Sequence, residues 1–561
     1  MGVARIGRSW GGGVALTLLL LGACSKAPEP AAAPASPPGT VPPKAQAAAP
    51  AAPAAADQAG IAWRQAATDP EVDAAFDEAR AQSKPVFLYW GANWCPPCNQ
   101  VKATLFNRQD FIERSRAFVP VYIDGDRPGA QKIGARFKVS GYPTMVLFRP
   151  DGTELTRLPG EVEPERYLEV VTLGINAQRP VKDVLAGARA GGSGLASPDW
   201  RLLAFYSWET DDQQLVPRRE VPALLKQLAA VCPPAETAAA TRLWLKALAA
   251  TDEADKTAPD AATTTRLLQL LGDDRAARAH FDVLASSAAE IARAASAPGT
   301  PERARVRDAY DRTLARFQAD ATLSRADRMG ALIGRVDLAR IDVAKPSGDA
   351  ASASKAALPP FAPALLAEIR EQVARADREI TDGYERQAVI TTAAYLLAHA
   401  DLFDEADSLL LGNLAKSHSP YYLMTGLAEN AAERGDARTA LRWHREAFEK
   451  SEGPATRLQW GARYLGALVK FAPQDEAEIG KVAGQLLDEA GAQTHVFYER
   501  SARSLRRVST QLRDWNRGDA HAAAWRRFEA QLQALCARVD GADGQRATCE
   551  ALSRPEAKKD A

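Results

Sequence analysis

The chain has 561 residues, 46% of them hydrophobic and 25% charged, which is ordinary globular composition and more length than one domain needs. Lys and Arg number 70 and Asp and Glu also 70, so the formal net charge is zero. Nothing in that balance points to a nucleic-acid partner or a polybasic membrane surface, and neither is expected.

At the N-terminus, Arg5 and Arg8 precede an apolar run from Val14 to Leu21. Leu21-Gly22-Ala23-Cys24 follows, with small residues where a cleavage site needs them. The run is shorter than the ~20 residues that span a bilayer. LGAC resembles the bacterial lipobox, which implies that residues 1–23 are a lipoprotein signal peptide and that Cys24 is the lipid attachment site and mature N-terminus. In that reading the protein reaches the membrane through its lipid anchor, on the periplasmic side of the envelope and at the outer membrane. An ordinary secretory signal cut nearby is the alternative. Residues 24–60 are dominated by Ala and Pro, cannot bury a core, and read as a disordered tether.

Residues 61–180 carry an α/β pattern. Val86-Phe87-Leu88-Tyr89-Trp90 has strand length, and Trp94-Cys95-Pro96-Pro97-Cys98 follows, with Asn93 as the expected N-cap. Val121-Tyr122-Ile123-Asp124 is a further strand, and Gly141-Tyr142-Pro143-Thr144 leads into the apolar Met145-Val146-Leu147-Phe148. Two cysteines separated by two residues beside such a pattern read as a redox pair. Thiol–disulfide exchange needs an accessible thiolate and a second thiol to resolve the mixed disulfide. Cys95, beside Trp94 at a helix N-terminus that lowers its pKa, is the expected attacker, and Cys98, one turn in, the resolver. Pro143 is expected to be cis and, lacking an N–H, to leave the preceding backbone free for an extended substrate. A plain structural disulfide is the alternative. A zinc site would need a second ligand pair, and the scattered His280, His399, His418, His444, His495 and His521 have no finger spacing, so neither metal nor cofactor is expected.

These motifs, in this order and together with Phe76-Asp77-Glu78-Ala79-Arg80, Lys84-Pro85-Val86 and Asp151-Gly152, resemble the thioredoxin superfamily from about Trp63 to Ala177. Within it the nearest likeness is to the C-terminal domain of the membrane reductase DsbD and related periplasmic proteins. The resemblance implies an enzyme, a protein-disulfide oxidoreductase acting on protein thiols and disulfides. If it reduces, a membrane electron donor of DsbD type is implied. Two positions depart from thioredoxin. Its buried Asp, six residues before the first cysteine, is here Tyr89, and the neighbouring Lys is Pro120. The usual buried acid–base pair is therefore missing. Pro120 is expected at a bulge or strand end, because proline cannot donate to a ladder. Pro96 and Pro97 remove two donors near Cys95, which points to a reducing couple.

Residues 181–197, rich in Gly, Ala and Ser, read as a linker, 198–344 as a helical domain, 345–360 as a second linker, and 361–561 as helical again. Ala406 and Ala440 are 34 residues apart, as are Pro420 and Pro454, a period that resembles tetratricopeptide repeats. The expected fold class is thus an α/β thioredoxin-like domain followed by a large all-α region of helical hairpins. That region offers a concave binding face or serves only as packing. It is expected to fold without the redox domain. Cys536 and Cys549 form a structural disulfide or stay as buried thiols, and Cys232 is left over. The competing functional reading is a non-catalytic envelope scaffold in which the thioredoxin-like domain only recognises partners.

Overall fold

The computed structural model describes residues 60–139, 141–158, 163–208, 211, 215–251, 259–343 and 359–554. The expected signal peptide, Cys24, nearly all of the tether and most of the second linker lie outside the described residues. Five strands pair in the order β1-β3-β2-β4-β5, with β1 at Arg64–Ala66, β2 at Val86–Gly91, β3 at Val119–Asp124, β4 at Thr144–Phe148 and β5 at Glu154–Leu158. β3 runs parallel to both β1 and β2, whereas β4 is antiparallel to β2 and β5 to β4. Strand periodicity divides the residues between two faces. Val86, Leu88, Trp90, Val121 and Val146 meet Val72 and Phe76 of α1 (Asp69–Gln82) and Ile133 and Phe137 of α4 (Ala130–Arg136). Phe87, Tyr89, Met145 and Leu147 face the other way, toward α2 (Pro96–Val101), α3 (Gln109–Arg114) and α5 (Pro164–Ile175).

Pro120 is the second residue of β3, opposite Phe87 in unbroken register with β2, so no bulge is found and the proline sits next to the strand's start. Val119 N–H donates to Pro85 O at 2.9 Å. By alternation, the donor missing at 120 would point toward β1, whose pairing with β3 begins only at Val121. The proline costs little there because no acceptor waits for it.

Beyond α5 the described residues are helical, and no strand longer than the isolated bridge between Val139 and Asp211 occurs among them. The expected linker at 181–197 is corrected. A helix at Val181–Arg189 buries Val181, Val184, Leu185 and Ala188, and another starts at Ser197. Small residues there serve close helix packing, and the chain turns only between the two helices, where Gly191, Gly192 and Gly194 have positive φ. Farther on, Pro420 and Pro454 each open a helix, and Ala406 and Ala440 are fully buried. Gly435, at φ +77, makes the turn between the helices Pro420–Glu433 and Ala437–Lys450.

The two halves share apolar core. One continuous cluster runs from Phe87 and Leu147 through Trp200 and Trp460 to Leu552. This contrasts with the expected self-sufficient helical half, since part of the helical core rests on the sheet.

Cys536 and Cys549 are disulfide-bonded, joining the helices Ala522–Arg538 and Gln545–Ala551, and Cys549 is fully buried. With a sequence separation of 13, the loop it closes is worth about 3 kcal/mol in the chain-entropy account. A Cys536→Ala/Cys549→Ala variant should lose about that much, confined to the C-terminal helices, in urea unfolding. Cys232 is free and buried, and burial pushes its thiol up to about 11, so it carries no thiolate at neutral pH.

Candidate active site: a redox pair beneath the helical region

The motif begins where β2 ends. The N-cap of α2 is Cys95 rather than Asn93, with extended φ −70 and ψ 114. Pro96 and Pro97 take the first two helical positions, where a missing N–H goes unnoticed and φ is already set. Cys98 N–H donates to Cys95 Sγ at 3.2 Å. Cys95 and Cys98 are disulfide-bonded, with Cα atoms 5.2 Å apart. Asn99 ties the turn down, its Nδ2 donating to Asn93 O at 2.8 Å and Cys95 O at 2.9 Å.

The Tyr142–Pro143 peptide is cis, and Pro143 is buried. Tyr142 stacks on Trp90 at 5.7 Å and meets Trp94 edge-on at 5.8 Å, which sets the cis-proline loop beside the redox turn. Any side chain at Gly125 would collide with the Tyr142 ring, so the loop after β3 needs glycine there.

No acid–base group occupies the Tyr89 position. Its ring stacks on Tyr122 at 5.1 Å, its hydroxyl has no partner among the described residues, and burial pushes the phenol far up. Charged groups near α2 include Lys102, one turn past Cys98, and Asp124 at the end of β3. Burial lowers the Lys102 pKa and raises that of Asp124, while the two attract each other. A carboxyl raised in the folded state contributes stability below its ordinary pKa and loses it as pH rises through the folded value. Asp124→Asn still accepts the Asp126 N–H, which Asp124 takes at 3.0 Å. The variant should therefore be more stable than the parent at pH 7, with the gain vanishing toward pH 3, as thermal melts across that range would show.

The helical region closes over this turn. Cys95 is 2% exposed, Cys98 0% and Trp94 9%. The chemistry calls for an accessible sulfur; the structure shuts it in. Tyr422 lies over Trp94 at 5.8 Å, and Trp460 meets it edge-on at 5.1 Å. His418 Nε2 sits 2.9 Å from Asn93 O, and Gln100 Nε2 donates to Asp327 at 3.1 Å.

Asp126, in the loop after β3, is the hub. It accepts Trp94 Nε1–H at 2.9 Å, Thr456 N–H at 2.9 Å and Thr456 Oγ1–H at 2.7 Å, and it pairs with Arg500 Nη2 at 2.5 Å. The Arg500 guanidinium lies 5.1 Å from the Trp94 ring and 5.0 Å from the Tyr142 ring. Asp126, Thr456, Trp460 and Arg500 are the residues that sequence reasoning missed. Asp126 is two positions past the Val121–Asp124 strand segment, but Thr456 and Arg500 lie 330 and 374 residues away from it, beyond any local signal.

A family model described as a thioredoxin-like domain matches residues 72–174. The thiol:disulfide interchange protein DsbD of Pseudomonas fluorescens is 32% identical over 103 residues, 18% of this chain and 18% of that protein. DsbD 1 of Pseudomonas aeruginosa is 30% identical over 105 residues, again 18% of each. The chain thus spans less than a fifth of the length of these two relatives. The thioredoxin of Mycolicibacterium smegmatis is 31% identical over 88 residues, which are 16% of this chain and 76% of that protein. Through the domain that carries Cys95 and Cys98, the chain belongs to the thioredoxin family.

Proposed function

We propose that the protein is a thiol–disulfide oxidoreductase of the bacterial envelope, exchanging disulfides of protein substrates through Cys95 and Cys98. The observation that carries this is the Cys95–Cys98 disulfide at the N-terminus of α2, with Trp94 against the cis-proline loop. In the reducing direction the Cys95 thiolate attacks a substrate disulfide. A Cys95–substrate S–S bond forms, and the other substrate sulfur leaves and takes a proton. Cys98, deprotonated, then attacks Cys95 Sγ, closing the Cys95–Cys98 bond and freeing the second substrate thiol. The substrate gains two electrons and two protons, and a donor dithiol must restore the pair. Likeness to DsbD supports a membrane donor of that type, and the LGAC sequence supports lipid attachment at Cys24 on the periplasmic face of the outer membrane.

With Pro96 and Pro97 lacking N–H groups, Cys98 N–H is the contact that Cys95 Sγ receives from the first turn. The thiolate is thus modestly stabilised, and the couple should lie near the thioredoxin end of the scale, about −270 mV. Equilibration against a defined dithiol pair, followed by thiol trapping at Cys95, checks this. A value above about −180 mV would contradict it.

Two observations favour the scaffold reading: the redox turn lies under the helical region, and Tyr89 replaces the acid. Insulin reduction by the full chain separates the two. Turnover dependent on Cys95 supports the enzyme, and none under any condition leaves the scaffold.

A further inference from the structure

The helical region touches the redox turn where the chemistry needs open space. An incoming disulfide must meet Cys95 Sγ, and an extended substrate chain needs the room between Trp94 and the Tyr142-Pro143 loop. Arg500 fills that room, its guanidinium against both rings. Tyr422 and Trp460 roof Trp94 from the other side. With Cys95 at 2% exposure, no protein sulfur can reach it in this arrangement.

We infer that the helical region is an intramolecular cover on the redox centre, latched by the Asp126–Thr456–Arg500 cluster, and that exchange with proteins requires it to lift. This rests on the oxidoreductase reading.

The interface has the character of a closure that opens. Its apolar part is aromatic and shaped to Trp94, but its centre is charged and hydrogen-bonded rather than dry. Arg500 is 8% exposed, yet its Nε and Nη1 find no acceptor among the described residues. Charged and hydrogen-bonded contacts can be exchanged for contacts with water when a surface opens, which a dry apolar seam cannot do. Lifting need not separate the two halves. The helix Val181–Arg189 and Trp200 join the sheet domain through the shared core, while Tyr422, Thr456, Trp460 and Arg500 sit on helices much later in the chain. A hinge between these attachments would expose Cys95 while leaving the chain anchored to the sheet. Titratable groups close enough to act on Arg500 include Asp126, Asp124, Tyr142 and Tyr421.

The test measures access to Cys95 in the full chain. The protein is reduced with dithiothreitol and pulsed with iodoacetamide, and alkylation of the Cys95 peptide is followed by mass spectrometry. Arg500→Ala and the milder Thr456→Val should each speed Cys95 alkylation at least tenfold over the parent. Leu284→Ala, which weakens a separate buried cluster, should leave it near the parent rate. Equal acceleration by Leu284→Ala would mean that labelling reports general unfolding, and would overturn the cover. So would a parent chain already labelled as fast as the two latch variants. Insulin turnover by the same proteins keeps the two readings apart. Fast labelling of the latch variants without turnover leaves the cover standing and removes the oxidoreductase. Full turnover by the parent, with labelling unchanged in the latch variants, removes the cover and leaves the oxidoreductase.

Discussion

Cys98→Ala should trap disulfide-linked complexes through Cys95, and insulin turnover should fall to the uncatalysed exchange rate, a matter of minutes to hours. The two sulfurs have unequal surroundings. Cys95 caps the helix, in extended backbone at the mouth of the turn, and receives the Cys98 N–H. Cys98 lies one turn in, at 0% exposure. Once the cover lifts, an incoming disulfide meets Cys95 first, and with Cys98 gone no internal thiol remains to release it. Cys232 cannot stand in, since burial keeps it protonated. Mass spectrometry of the complexes should map the adducts to Cys95. Equal trapping at Cys98 in the reciprocal Cys95→Ala variant would reverse the two roles.

The parts of this architecture that were legible in the sequence are the local ones. WCPPC after an apolar run, and GYPT before another, are short segments recognisable from residue type and spacing alone, although Tyr142 meets Trp90 and Trp94 only across the sheet. Even there the helix start was misplaced. Asn93 is a good capping residue, but Pro96 fixes φ for the first helical position and so makes its predecessor, Cys95, the cap. The helix at Val181–Arg189 had its own signal in Val181, Val184, Leu185 and Ala188, spaced as i, i+3, i+4 and i+7. Composition masked it, because Ala and Gly serve tight packing as readily as flexible loops. The cover on the redox turn left no trace at all. Asp126 and Arg500 are ordinary charged residues until the fold sets them 2.5 Å apart across 374 positions. Net charge, periodicity and motifs carry nothing about such a pairing. That is why Trp94, expected beside an accessible sulfur, is found beneath Tyr422 and Trp460.

Removing one member of the Asp126–Arg500 pair should cost about 3–5 kcal/mol, the scale for leaving the other charge buried and unpaired. The side chains are 12% and 10% exposed, so solvent screening gives little relief. Asp126→Ala strips partners from Trp94 Nε1, from both donors of Thr456 and from Arg500 together. Asp126→Asn is the sharper probe. With its amide oxygen kept toward Thr456 N–H and Arg500, its NH2 faces both the Trp94 indole N–H and the Thr456 hydroxyl, where one carboxylate oxygen accepted from both. It should therefore recover only part of the loss. Arg500→Met keeps an unbranched side chain between the Trp94 and Tyr142 rings and removes the charge and its unpaired donors. The double variant Asp126→Asn/Arg500→Met should then be destabilised by much less than the sum of the single changes, because neither leaves a charge behind for the other. Urea unfolding of the four proteins completes the cycle. A coupling below about 1 kcal/mol, typical of exposed ion pairs, would mean that water reaches the pair and that the aromatic contacts alone hold the helices against the redox turn.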